Sequence, residues 1–166
     1  MLRKRQPSRR VTSEQSGDVQ AALAAAVTLL AHRDYCSCEL TARLTSRGFE
    51  PEAVRATIEE LHTRRYLDDE RYARQFVERG VRRGHGPVRI RHELGELGLK
   101  SELTEYALAE HGEWSALARQ VRAQRFGTKP PATWAEKARQ ARFLQYRGFS
   151  NDDIRSALGF DVTSDC

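Results

Sequence analysis

The sequence predicts an all-α protein, an elongated tandem array of three three-helix repeats. Three observations carry this. Apolar residues recur at helical spacing along most of the chain, as in Leu23, Val27, Leu30 and in Val54, Ile58, Leu61. No stretch alternates apolar and polar residues for long enough to form a sheet. Glycine returns every fifty residues, at Gly48, Gly98 and Gly148, with matching neighbours each time.

The elements follow in order. A first helix is expected over 18–33, on the stripe Leu23, Val27, Leu30. A second ends at Gly48, and a third follows with Val54, Ile58 and Leu61 on one face. Asp68 before Asp69 and Glu70 is an N-cap with acids in the first turn, where the helix dipole favours them. That helix spans 69–82 and carries the pair Tyr72 and Phe76. Gly84-His85-Gly86-Pro87 is a hinge, with Pro87 at the first position of the next helix. Ile90, Leu94 and Leu97 then line a helix that stops at Gly98. A helix over 113–126 carries Leu117 and Val121, and a longer joint runs from Gly127 to Thr133. After Gly148, Ser150 to Asp153 has the form of a capping box with Asp in the Glu position, before Ile154 and Leu158.

Around each repeat glycine the columns match. Leu44, Leu94 and Leu144 stand four residues before it, and Phe49, Leu99 and Phe149 directly after it. Val54, Thr104 and Ile154 come next, then Ile58, Leu108 and Leu158, with Thr104 the one polar break. The physical unit is a helix closed by a glycine, an apolar residue folded over its end, and a new helix. The expected organisation is a disordered basic tail over 1–17, repeats over 18–68, 69–112 and 113–160, and a flexible end over 161–166.

The 166 residues carry a net charge of +5, with 39% apolar residues. No apolar run reaches the roughly 20 residues of a membrane span. The basic start Met1-Leu2-Arg3-Lys4-Arg5 has no apolar region behind it, so no secretory signal is expected. Three cysteines, two of them at Cys36 and Cys38, fit a reducing cytosol without a disulfide framework. The charge is blocked by sign. Residues 1–17, 71–92 and 115–147 are basic, and 18–70, 93–114 and 148–166 are acidic. Separate basic surfaces suit a polyanion or an acidic protein, and equally describe arginine-rich solvated faces.

Catalytic chemistry finds little support. Cys36-Ser37-Cys38 with His32 nearby is at most half a metal site, because zinc takes four ligands and the third cysteine, Cys166, is terminal. Incidental small residues explain the cysteines better. His62, His85, His92 and His111 are scattered without metal-binding spacing. The hinge glycines lack the spacing of a phosphate-binding loop and any preceding strand. No cofactor, no metal and no enzymatic activity are expected.

Binding chemistry is better supported. Arg79, Arg82 and Arg83 precede the hinge, and Arg89 and Arg91 follow it. Guanidinium groups bind carboxylate or phosphate in bidentate fashion. Internal pairing with Glu93, Glu96 or the acids after Gly98 is the competing use. A second basic run contains Arg119, Arg122, Arg125, Lys137, Arg139, Arg142 and Arg147. The contact candidates are Arg79, Arg82, Arg83, Arg89, Arg91, Arg119, Arg122, Lys137, Arg142 and Arg147, on a frame set by Asp68, Gly84, Gly86, Pro87, Gly48, Gly98 and Gly148. Phe143 and Tyr146 interleave with the later arginines, where they either stack on bases or, more commonly, fill a core.

The run Tyr66-Leu67-Asp68-Asp69-Glu70-Arg71-Tyr72-Ala73-Arg74-Gln75-Phe76-Val77-Glu78-Arg79, with Arg83-Gly84-His85-Gly86-Pro87-Val88-Arg89-Ile90-Arg91-His92-Glu93-Leu94 and Gly98-Leu99, strongly resembles the RecX family of recombination regulators. His32-Arg33-Asp34-Tyr35 with Glu39-Leu40 and Leu44 resembles the first unit of that family. Lys137 with Arg142-Phe143-Leu144-Gln145-Tyr146-Arg147-Gly148-Phe149 resembles its last. The likeness spans about residues 20–160, and His85 stands where an aromatic residue is usual. It implies a cytoplasmic, monomeric, all-helical protein without catalysis of its own. Its partner would be the RecA recombinase, chiefly as the filament on single-stranded DNA, with direct DNA contacts as helpers. It would limit filament extension and lower ATPase, strand-exchange and co-protease activity. The resemblance assigns no individual arginine to either partner. The alternative is a helical DNA-binding module that acts without the recombinase.

Overall fold

The computed structural model describes Thr12 and residues 15–159. Among these residues there are nine helices and no strand: α1 (Val19–Leu30), α2 (Ser37–Ser46), α3 (Pro51–Thr63), α4 (Asp69–Arg82), α5 (Pro87–Glu96), α6 (Ser101–His111), α7 (Trp114–Phe126), α8 (Trp134–Tyr146) and α9 (Asn151–Leu158). The protein is all-α, three three-helix segments in tandem. The basic tail expected over 1–17, apart from its end, and the flexible end expected over 161–166 lie outside the described residues. There Gln15–Gly17 form a turn, Ser16 donates its hydroxyl to Glu50 at 2.9 Å, and the Glu50 N–H donates to the Ser16 carbonyl at 2.8 Å. The expectation of disorder as far as residue 17 is corrected by that anchorage.

The repeat glycines end their helices as the columns predict. At the end of α2 the Gly48 N–H donates to the Thr45 carbonyl at 2.9 Å, and the Phe49 N–H reaches back to Leu44 at 3.4 Å. At the end of α8 the same two bonds run from Gly148 to Gln145 at 2.9 Å and from Phe149 to Leu144 at 3.2 Å. This is the Schellman closure, which places its glycine at positive φ, here 99° for Gly48 and 82° for Gly148. Leu44, Phe49, Leu144 and Phe149 are all buried, so each column residue caps the core beside its turn. The α4 terminus uses the same device, with Gly84 bonded to Val81 at 2.8 Å and His85 to Gly80 at 2.9 Å.

Helix starts also follow the sequence. The Asp68 carboxylate accepts the Arg71 N–H at 2.9 Å. Ser150 and Asp153 form a reciprocal capping box, and Asp153 also accepts the Ser115 hydroxyl at 2.8 Å, tying α9 to α7. Thr104 is buried without penalty because its hydroxyl donates to the Lys100 carbonyl at 3.3 Å.

The helices gather into two compact units, one made of the chain as far as Tyr72 with Leu97–Leu99, the other of Ala73–Glu96 and Lys100 onward. In the first, α1 packs on α3 around Ala22, Ala26, Leu40, Leu44, Phe49, Val54 and Leu61. The expected α1 stripe is corrected here. Ala22 and Ala26 are fully buried, Leu23 and Leu30 are half-buried, and Val27 is 47% exposed. Small side chains let the helix backbone lie close, and the larger residues flank that contact. The helix also stops at Leu30 rather than 33.

In the second unit α7 packs most extensively on α9, around Ala118, Val121, Leu144, Phe149, Ile154 and Leu158. Here the start of α5 meets the end of α8. The Gly86 N–H donates to the Arg147 carbonyl at 2.8 Å, and the Val88 N–H to the Gly148 carbonyl at 3.0 Å. A Cβ on Gly86 would lie 2.3 Å from the Gly148 oxygen, and one on Gly148 would lie 2.3 Å from the Arg89 Cβ. Neither backbone can yield, so Gly86→Ala should cost about 1–3 kcal/mol or more through overpacking. At about 2–4 °C per kcal/mol this reads as a Tm lowered by several degrees. Gly95 lies inside α5 with nothing within 4 Å of an added Cβ. Gly95→Ala should therefore leave Tm unchanged or raise it, since alanine is favoured over glycine in a helix interior by about 0.5–1 kcal/mol. Calorimetry on the two variants checks the opposite signs.

Candidate binding surface

The α4–α5 turn, the C-terminal half of α7 and the end of α8 line an open cavity of about 280 Å³ within the second unit. Arg82, Arg83, Gly84, Val121, Gln124, Arg125, Phe143 and Arg147 line it. Four of the lining residues are arginines, and none is acidic. Arg147 is held in place from both sides: it donates to the Arg83 carbonyl at 2.8 Å, and its guanidinium lies 5.2 Å from the Phe143 centroid. Phe143 in turn meets Phe126 edge-on at 5.3 Å, and Arg139 lies 5.4 Å from the Phe126 centroid. Arg147 and Arg139 thus flank a Phe143–Phe126 pair, an arrangement favoured by cation–π attraction. Arg82 has only a loose, exposed pair with Glu78 at 3.7 Å.

The other sequence candidates part from this cavity. Arg89 pairs with Glu93 at 2.8 Å, and Arg91 forms a bidentate pair with Glu105, Nη2 at 2.8 Å. Internal pairing therefore claims the two arginines after the hinge, whereas Arg82 and Arg83 before it line the cavity. Arg119 donates to the Ser156 hydroxyl at 2.6 Å. Arg79 is half-buried over Phe76 at 5.6 Å, and Lys137 is half-buried on α8. Arg142 is exposed on α8.

Arg122 is corrected as a contact residue. It is 7% exposed and bonds inward, to the Lys129 carbonyl at 3.1 Å, the Thr128 carbonyl at 3.3 Å and the Gln140 side chain at 3.3 Å. Its i, i+3 spacing from Arg119 shows a shared side of the helix, but not that Gln140 of α8 and the Thr128 and Lys129 carbonyls take up its donors. Arg125, Gln124 and Val121 are the lining residues not among the sequence candidates. Arg125 stood in the second basic run; its approach to the hinge depends on how α7 packs, which no local pattern records. Phe143 packs against the core of this unit, and Tyr146 is 79% exposed and so does not.

Around the cavity the field is positive. Burial first, then the Arg89 guanidinium, pushes the His85 imidazole below its ordinary value, with Arg147 and Arg83 acting the same way against Glu93. A second cavity in this unit, about 290 Å³, is lined by Arg74, Val77, Glu78, Ala107, Glu110 and His111, so its charges are mixed. In the first unit Arg33 pairs with Glu39, Arg55 with Glu52 and Glu59, and Arg64 with Glu60. Ser37 and His62 come within 2.7 Å, but Asp69 accepts the Ser37 N–H rather than orienting the imidazole. Cys36 is buried, with its thiol pushed up by that burial, and Cys38 is exposed. Among the described residues no group of three or more metal-ligating side chains gathers, and no helix is long and apolar enough to cross a membrane.

Fold and cavity together define a helical repeat protein with an arginine-lined, acid-free cavity. Family models of the RecX first, second and third three-helix domains match residues 22–61, 68–108 and 113–158. The chain is 41% identical over 146 residues to the regulatory protein RecX of Halorhodospira halophila, covering 87% of this chain and 91% of that one. It is 41% identical over 134 residues to the regulatory protein RecX of Pseudomonas fluorescens, covering 80% and 86%. A crystal structure of RecX from Lactobacillus salivarius shares the fold, with a TM-score of 0.75 at 20% identity over 87% of this chain and 98% of that one. The chain belongs to the RecX family, and these curated relatives are regulatory proteins.

The field at the turn has a measurable consequence. His85 should titrate below 6.5, the value for an unperturbed histidine. Its neutral form is the one the fold favours. Its contribution to stability is complete above 6.5 and lost as pH falls through the lower folded value. NMR titration of the imidazole checks this, and Arg83→Glu should move the value upward. An unchanged value in that variant would mean the arginines do not act on His85.

Proposed function

We infer that this chain binds the RecA recombinase and its filament on single-stranded DNA. It lowers filament extension, ATPase, strand exchange and co-protease activity, and works as a cytoplasmic monomer without catalysis of its own. Family membership supports the partner. The observation that carries the contact is the cavity of Arg82, Arg83, Arg125 and Arg147, with no carboxylate in its lining.

The chemistry is recognition of an anionic group. Like-charged guanidinium groups held together by a fixed backbone gain most from an anion placed among them, through charge-assisted hydrogen bonds. A carboxylate of an acidic protein surface or a phosphate of the filament strand fits that space. The Gln124 amide adds a neutral donor and acceptor at the same wall. Such contacts tune partner choice and encounter rate more than fold stability.

The test is substoichiometric protein against DNA-dependent ATP hydrolysis by the recombinase. Arg82→Glu with Arg83→Glu should keep its helical content and melt cooperatively, because the pair lost with Glu78 is exposed and contributes at most about 1 kcal/mol. The same double variant should lose most inhibition of ATPase and strand exchange, since reversed charge meets an acidic partner with repulsion. If it inhibits as well as the parent at equal concentration and salt, the turn is not the contact surface, and Arg119, Arg139 and Arg142 become the candidates.

A further inference from the structure

The exposed side of α8 is built unlike the surface around it. Trp134 is 83% exposed and Tyr146 is 79% exposed. Steps of four residues connect them: Trp134, Ala138, Arg142 and Tyr146 form one i, i+4 row, a ridge slanting along the helix. Its aromatic ends lie about 18 Å apart along the axis, at 1.5 Å per residue. Ala138 is small and leaves a step between the indole and the guanidinium. Arg142 has no ion pair among the described residues. The only acid of α8, Glu136, points away, because it accepts the Ala132 N–H at 2.8 Å and the Thr133 N–H at 3.2 Å.

Trp134 does not owe its exposure to a loose helix end. The Thr133 and Glu136 capping box fixes the first turn. Arg122, buried beneath, holds the Thr128 and Lys129 carbonyls of the preceding loop. Its Nε is left without a hydrogen-bond partner among the described residues. A buried cation is thus committed to ordering the segment that presents the indole. Large aromatic faces left in water on an ordered, acid-free ridge are costly for solubility and useful for stacking.

We propose that the ridge Trp134–Ala138–Arg142–Tyr146 binds single-stranded nucleic acid, with unpaired bases stacked on the indole and phenol and the backbone phosphate held by Arg142. Charge complementarity selects a polyanion, and the exposed rings select one whose bases are free. A duplex keeps its base faces inside its own stack and offers the rings nothing. Stacking of this kind is tolerant of sequence, because every base has a π face. The site is separate from the arginine cavity and acts without the recombinase, so its failure would leave the reading of the cavity standing.

The experiment uses the full chain with no recombinase present. Fluorescence anisotropy measures binding to a short labelled oligothymidylate, to an abasic oligomer of equal length, and to a duplex. The parent should bind the thymidylate at least about tenfold more tightly than the abasic strand, as expected from stacked bases. Trp134→Ala with Tyr146→Ala should bind both strands alike, with helical content and melting unchanged. Arg142→Ala should keep the preference for bases and lower the salt slope by about 0.7, the loss of one phosphate contact on a single strand. Equal binding of thymidylate and abasic strand by the parent, or no binding of either, overturns the proposal. So does a double variant that keeps the preference. If that variant leaves nucleic acid binding unchanged and loses inhibition of the recombinase, the ridge is a protein contact and the proposal is also overturned.

Discussion

The second unit is organised by a junction of two helix ends. The free carbonyls of Arg147 and Gly148 at the end of α8 accept the free N–H groups of Gly86 and Val88 at the start of α5. Each helix end would otherwise leave such groups to water. Their dipoles also meet in the favourable sense, the negative end of α8 against the positive end of α5. The contact needs bare backbone on both sides, which is why glycines stand at 86 and 148. Once it is made, Arg83 and Arg147 are brought together whatever their charges prefer. The protein absorbs the repulsion by giving Arg147 the Arg83 carbonyl and the Phe143 face. The cavity is therefore a consequence of backbone docking, and its positive field is held in place rather than arising from mobile side chains.

The arginines of this unit serve three physical ends. Arg89 and Arg91 are neutralised by Glu93 and Glu105 on solvent-facing sides, where pairing adds little to stability but removes net charge. Arg122 is buried and spends its donors on carbonyls, so it acts as a structural clamp that happens to be charged. Arg82, Arg83, Arg125 and Arg147 share a cavity without acids, and Arg142 is exposed on α8 without an ion pair among the described residues. Composition treats all of these as one basic block. Only the placement of carboxylates and carbonyls separates surface that can meet a partner from surface already satisfied.

This separation marks where the sequence could be read. Helix ends were legible, because a glycine at C′, an apolar residue after it and a capping acid act within six residues of each other. Gly148 with Phe149, Asp68, and Ser150 with Asp153 all behave as their local chemistry requires. Helix faces were less legible where alanine was available. In α1 the periodic large residues flank the contact and Ala22 and Ala26 make it, since a closer approach buries more backbone-proximal surface than a longer side chain would allow. The arginine roles were the least legible. Arg91 finds Glu105 across α5 and α6, and Arg125 reaches the hinge only because α7 packs beside α8 and α9. Such pairings join residues distant in sequence and follow no period. Family resemblance helped with the fold and the partner class, but could not sort one guanidinium from another.

Helix α8 links the cavity to the exposed ridge. Its start is held by a capping box and the Arg122 clamp, and its end by the bonds to α5. A helix pinned at both ends cannot turn about its axis to hide Trp134 and Tyr146 or to draw Arg147 out of the cavity. Preorganisation of this kind lowers the ordering cost of binding, so a few contacts suffice. The same charge on a flexible basic segment would attract any polyanion and would fade as salt rises toward a Debye length of about 8 Å. Charge fixed beside aromatic faces and a shaped cavity discriminates by geometry as well as by sign. The glycine junction fixes the end of α8 and with it the position from which Arg147 meets the cavity.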